Sequence, residues 1–162
     1  MVITMKDDTT RFGVRVGAII FNKDHTKVLV QRQKHDIYML PGGRLEALEN
    51  TDSAIKRELI EELGIECDVH LKYILEAITS LPNETKYHEI GFYYNTQIDE
   101  NETGYTDDKE YDSLDEKHDG KSKFKWAKVS EIDNYDFLLD ILKEKVKSDD
   151  NNELEHIIYE NK

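Results

Sequence analysis

One cysteine, two prolines, one tryptophan and no long apolar run stand in this 162-residue chain. The lone Cys67 excludes an internal disulfide, so cysteine usage points to no oxidising compartment; its expected role is that of a small apolar strand residue. Residues Met1 to Asp8 hold no apolar core of signal-peptide length, and without a stretch of about 20 apolar residues no membrane-spanning helix is expected. The location these absences imply is cytoplasmic. Cations are scarce as well: 22 Lys and Arg oppose 35 Asp and Glu, a formal net charge of -13. Affinity for a polyanion rests on clustered Lys and Arg, so a nucleic acid duplex and a membrane are both poor partners. A small phosphate compound is not excluded, because a bound divalent cation is often the largest charge in its site.

The length suits a single domain, 1-162, and the 38% hydrophobic content is low but enough for a core. Period-two apolar patterning predicts strands at Arg11 to Phe21 and Lys27 to Gln33, with Asn22-Lys23-Asp24-His25 as the hairpin turn. Further strands are expected at Ile65 to Glu76, Glu89 to Ile98 and Ser122 to Val129. Two helices are expected, Asn50 to Leu63 and Ser130 to Lys147, the second burying Ile132, Phe137, Leu138, Ile141 and Leu142. The tail Leu154 to Tyr159 adds a strand or a terminal turn. Between Asp99 and Gly120 acidic residues outnumber lysines ten to two with no apolar stripe, which reads as a long loop or insertion. Strands interrupted by one helix and closed by another give an α/β sandwich with a mixed central sheet. The sequence leaves the oligomeric state open, a homodimer included.

Most of the chemistry lies in residues 43 to 65. Asn50 is placed to cap a helix, Asp52 and Ser53 fall in its first turn, and Gly64 suits the left-handed C-terminal position. In that register Glu58, Glu61 and Glu62 stand at i, i+3 and i+4 on one face, beside an apolar stripe of Ile55, Leu59 and Leu63. Like charges at this spacing cost roughly 0.2–0.5 kcal/mol per pair, so the face suits a cation; the bland alternative is a solvated surface. Carboxylate oxygens in that number favour Mg2+ or Mn2+ over zinc. Upstream, Leu40-Pro41-Gly42-Gly43 is a turn whose glycines let backbone approach an ion or a phosphate closely.

Gly43, Glu49, Arg57-Glu58, Glu61-Glu62 and Gly64, with Leu59 and Ile65 at the aliphatic positions, resemble the signature of the Nudix hydrolase superfamily (MutT-like), Gly-x5-Glu-x7-Arg-Glu-U-x-Glu-Glu-x-Gly-U. No position of it is missing. The flanks resemble the family too, including Lys125-Trp126-Ala127 before the final helix. The resemblance implies a Nudix-type α/β/α sandwich, and a metal site formed by the Gly42 carbonyl with Glu58, Glu61 and Glu62. It gives Gly43, Glu49 and Gly64 structural tasks, with Arg57 bracing Glu49. It implies hydrolysis of a pyrophosphate bond in a nucleoside diphosphate linked to another moiety, such as a nucleoside triphosphate or ADP-ribose. A non-catalytic sensor of nucleotide derivatives with the same fold is the alternative. Glu58 is the first choice for the base, with Glu89, Glu116 and Asp119 as later carboxylates.

Outside the signature, Arg32 at the end of the Val28-Val30-Arg32 alternation and Arg15 within an apolar strand are candidates for substrate binding, each set against a surface or snorkelling arginine. Glu89 follows His88 in a pair similar to one near Nudix substrate pockets, which makes it a third substrate-binding candidate and an extra ligand or base; a strand-edge salt bridge is the equal alternative. Tyr38, Phe92, Tyr93 and Trp126 could stack on a base, although aromatic residues are more often core.

Overall fold

The computed structural model describes residues 1–80, 85–105, 109–115, 122–148 and 153–161. Its centre is β2 (Thr10–Phe21), which pairs in parallel along its whole length with β7 (Lys86–Gln97). The other edge of β2 is shared in succession by β1 (Thr4–Lys6), by β5 (Gly42–Arg44) and, through the Phe21–Val28 pair, by β3 (Lys27–Arg32). Beyond β7 lie β6 (His70–Ser80), antiparallel to it, and β11 (Glu155–Asn161), parallel to β6. Beyond β3 lie β4 (Ile37–Met39) and β9 (Lys123–Lys128); β8 (Tyr111–Asp112) pairs with β9, and β10 (Asp136–Phe137) with β4. The sheet is therefore mixed.

Alternation along the strands builds two cores. Val16, Ala18 and Ile20 of β2, Leu29 of β3 and Phe124 and Trp126 of β9 pack on Ala54, Ile55, Leu59 and Leu63 of α1 (Thr51–Leu63). Ile19, Phe21, Val28, Val30 and Tyr93 face the other way. They meet Leu142 and Val146 of α3 (Ile141–Lys147) together with Ile132, Phe137 and Leu139. A sheet with a helix on each face is an α/β/α sandwich.

Several expected boundaries move. The helix expected over Ser130 to Lys147 is a 3-10 turn at Val129–Asn134, the two residues of β10, and α3 alone. Pairing with β4, and the Leu138 N–H on the Tyr38 carbonyl, win over helical continuity there. The strand expected from Ile65 begins only at His70, because the Ile65 N–H is used on the Leu59 carbonyl to close α1. Cys67 consequently sits in the connection before β6, half-buried against the α1-side core. The acidic segment is not wholly loop: it contains α2 (Glu100–Thr103) and β8. Its carboxylates dock on a basic rim, Asp99 on Lys23, Glu100 on Lys27, Glu110 on Arg32 and Asp112 on Lys123.

Candidate active site

Helix α1 carries the site because both of its ends are chemically closed. The Asn50 side chain accepts from the Ser53 N–H at 2.9 Å, and Gly64, at φ 67°, takes the left-handed position with its N–H on the Ile60 carbonyl at 2.9 Å. The register this fixes turns Ile55, Leu59 and Leu63 into the core and sends Glu58, Glu61 and Glu62 toward β5. There, with the Gly42–Gly43 loop, they line a cleft of about 390 Å³.

Bare glycine backbone lets β5 approach both the Glu58 side chain of α1 and the backbone of β2. A Cβ on Gly43 would lie 2.2 Å from the Glu58 carboxyl, and one on Gly42 would lie 2.2 Å from the Val16 carbonyl; the φ of 138° at Gly42 is a second reason for glycine. The Glu62 carboxylate is buried, with Oε1 accepting from Gln31 Nε2 at 2.9 Å and Oε2 from the Gly42 N–H at 3.4 Å. Glu61 is the most open of the three, its side chain 37% exposed.

Arg57 ties this together. Its Nε and Nη2 donate to the two oxygens of Glu49 at 2.8 and 3.0 Å, and its Nη1 donates to Glu58 at 2.9 Å and to Glu61 at 3.2 Å. Those bonds hold the Glu49 carboxyl below the usual carboxylate range. Glu58 moves the other way, because burial outweighs its Arg57 partner and raises its pKa.

The donor set is all oxygen, three carboxylates and the Gly42 carbonyl, which suits Mg2+ or Mn2+. The Glu58 carboxylate rests directly against the bare backbone of Gly43. Among the described residues no three acidic side chains converge on one point: Glu58 and Glu61 are drawn to Arg57, and Glu62 to Gln31. The fit is thus one of donor type and placement along one wall.

The other sequence candidates divide. Arg15 lines the cleft, its Nη2 donating to the Leu40 and Gly42 carbonyls at 3.0 and 3.2 Å. Burial opposes its charge, but Tyr93, Glu89 and Glu62 outweigh that cost and its pKa is raised. Arg32 lies on the face of β3 shared with Val28 and Val30, bound bidentately to Glu110 at 2.8 and 2.7 Å and to Asp36 at 3.1 Å. The residues of that strand end that line the cleft are Gln31 and Gln33. Glu89 is buried outside the main cleft, beside Arg15 in a small adjoining cavity, and accepts from Tyr87 Oη at 2.5 Å. Tyr93 and Trp126 are core, while Tyr38 and Phe92 pack at core margins. Glu116 and Asp119 lie outside the described residues.

Gln31, Gln33, Arg44 and Asp115 also line the cleft and were not singled out by sequence reasoning. The Leu29-Gln31-Gln33 alternation was the available signal for two of them. Asp115 arrives with the strap that crosses the end of α1, where the Leu114 N–H meets the Glu62 carbonyl at 2.9 Å and β8 pairs with β9.

Comparison with known proteins bears on the family and the fold. The Nudix domain profile matches residues 11–155. Over 55 residues the chain is 44% identical to the 8-oxo-dGDP phosphatase NUDT18 of Danio rerio, a stretch covering 32% of this chain and 17% of that protein. The chain thus matches well under two thirds of that relative's length. The MutT protein of Bacillus halodurans superposes with a TM-score of 0.61 at 18% identity, covering 91% of this chain and 89% of that one. The MutT protein of Methanosarcina mazei gives 0.55 at 18%, covering 88% and 94%. Both share the fold, and the profile match spans most of the chain, so it belongs to the Nudix hydrolase superfamily.

Proposed function

We propose that this chain hydrolyses a pyrophosphate bond in a small nucleotide, a nucleoside diphosphate linked to a further group, with Mg2+ held by Glu58, Glu61, Glu62 and the Gly42 carbonyl. The observation that carries the reading is that these four residues, contributed by α1 and the start of β5, line a single cleft. Bound there, the metal would supply charge neutralisation at the phosphate oxygens and a more acidic water. The water oxygen bonds to one phosphorus, the bridging P–O bond breaks, and the departing phosphate keeps that electron pair.

The chain's own groups do the rest. Arg57 holds Glu49, Glu58 and Glu61 in register, and Gln31 fixes the orientation of Glu62. For the proton of the attacking water, Glu58, the first choice from the sequence, and Asp115, which lines the same cleft, are our candidate acceptors. Since a relative is named for action on 8-oxo-dGDP, that compound joins nucleoside triphosphates and ADP-ribose as substrates to test.

Incubating the protein with this panel in Mg2+ or Mn2+ and separating products by chromatography is the direct test. Release of a mononucleotide with phosphate, pyrophosphate or a phosphorylated second product is expected. Tight binding without turnover of any member would instead favour a nucleotide sensor.

A further inference from the structure

Arg15 occupies a position that a plain substrate-binding arginine does not need. It sits on β2 opposite Gly91 of β7 and lines a small cavity together with the buried Glu89. Its guanidinium is directed to two loop carbonyls, Leu40 and Gly42. The Gly42 peptide groups are consequently held on both sides: the N–H is given to Glu62 and the carbonyl takes a bond from Arg15. Gly42 opens β5, so the pairing of that strand with β2 and the bond from Arg15 act together on the direction of its carbonyl.

Glu89 is itself anchored. Tyr87 donates to Oε2 at 2.5 Å and Tyr93 to Oε1 at 3.4 Å, while Arg44 Nη2 donates to the Tyr87 hydroxyl at 3.0 Å. The Tyr93 ring lies over the bare backbone of Gly17 and Gly91, where a Cβ at either would come within 2.6 Å of it. Two glycines on adjacent strands thus open the space that lets Tyr93 reach Glu89. Burying a carboxylate and partly withdrawing an arginine from solvent costs desolvation energy and is weak evidence for a stabilising role. The return is orientation at the loop.

We infer that Arg15 is a positioning residue, aiming the Gly42 carbonyl into the cleft, and that Glu89, oriented by Tyr87 and Tyr93, acts through Arg15 and not on substrate. The inference rests on the metal-site reading above. It separates two residues that the sequence groups with the substrate contacts.

Mn2+ binding to the full chain without nucleotide, followed through the electron paramagnetic resonance signal of free Mn2+, tests it without reference to turnover. Arg15→Gln should weaken binding at least fivefold, and the near-isosteric Glu89→Gln about threefold. The double variant should be no weaker than Arg15→Gln alone, because one path is lost only once. Arg15→Lys should recover part of the affinity, as one ammonium can reach a single carbonyl. With substrate, kcat at limiting Mn2+ should fall in Arg15→Gln and recover as Mn2+ is raised. Unchanged or tighter Mn2+ binding in Arg15→Gln, or a raised KM for nucleotide at unaltered Mn2+ affinity, overturns the assignment while leaving the metal site standing. A wild-type chain that binds no Mn2+ overturns the metal site and this assignment together.

Discussion

Arg57 and Glu49 form a two-pronged ion pair across the turn that precedes α1, with Nε–Oε1 at 2.8 Å and Nη2–Oε2 at 3.0 Å. The parallel geometry is the strong form of such a contact, and both side chains are largely withdrawn from solvent. Arg57→Ala and Glu49→Ala should each lower stability, and the double variant should cost about 1 kcal/mol less than the sum of the singles. Urea unfolding of the four proteins measures this. Strict additivity would show that the two residues do not work as a pair.

The same pair sets a pH dependence. Hydrogen bonds from Arg57 lower the folded-state pKa of Glu49 below its ordinary value of 4.5. A depressed carboxyl contributes stability that is present above the unfolded value and is lost as pH falls through the folded one. Melting temperature should therefore drop below about pH 4.5 more steeply in the wild type than in Glu49→Gln, which lacks the titrating group. Glu58, raised by burial, works with the opposite sign and blunts the acid limb. Parallel melting curves for the two proteins from pH 7 to pH 3 would remove Glu49 as a source of acid sensitivity.

The sequence was most legible where structure is local. Asn50, Gly64 and the Ile55-Leu59-Leu63 stripe sit within one helix, and they place Glu58, Glu61 and Glu62 without outside help. It was least legible where a partner lies far along the chain. Arg32 is engaged by Glu110, 78 residues away, and which face of β3 meets the cleft depends on α1 packing over Leu29. The apolar spacing from Ile132 to Leu142 looked helical, yet β10 and β4 are too short to leave a strand signature of their own. Asp115 had no local mark at all.

Glu61→Gln and Glu62→Gln should each reduce turnover by at least about a hundredfold if both carboxylates hold metal, roughly 3 kcal/mol of transition-state stabilisation. Their effects on stability should differ. Glu61 is partly exposed, so its change should stay within about 0.5 kcal/mol. Glu62 is 1% exposed and both oxygens accept hydrogen bonds, whereas an amide offers only one acceptor, so a loss of about 1–2 kcal/mol is expected. Steady-state kinetics and urea unfolding report the two effects separately. Near-normal turnover of either variant in saturating Mg2+ would remove that residue from the metal site.

Asp115 reaches the cleft on the strap that also carries Glu110, but Glu110 is spent on Arg32 at the other face of β3. The two carboxylates therefore make a matched pair for kinetics. Asp115→Asn should lower kcat tenfold or more, while Glu110→Gln should leave it within about twofold. A silent Asp115→Asn would remove Asp115 as the proton acceptor.

Leu48 sits in the turn between the Gly42–Gly43 loop and Glu49, fully exposed, with φ at 68°. A side chain in the left-handed region costs about 1–2 kcal/mol, and an exposed leucine recovers little of that through packing. Glycine removes the steric cost but adds about 0.4–1 kcal/mol of unfolded-chain entropy, so Leu48→Gly should gain about 0.5–1 kcal/mol net. For a chain of this size that corresponds to about 2 °C in melting temperature. Leu48→Val should move in the opposite direction, because a branched Cβ fits φ above zero still less well. Calorimetry on both variants would decide: a Leu48→Gly protein that melts lower than wild type would mean that the leucine is held by contacts worth more than its backbone strain.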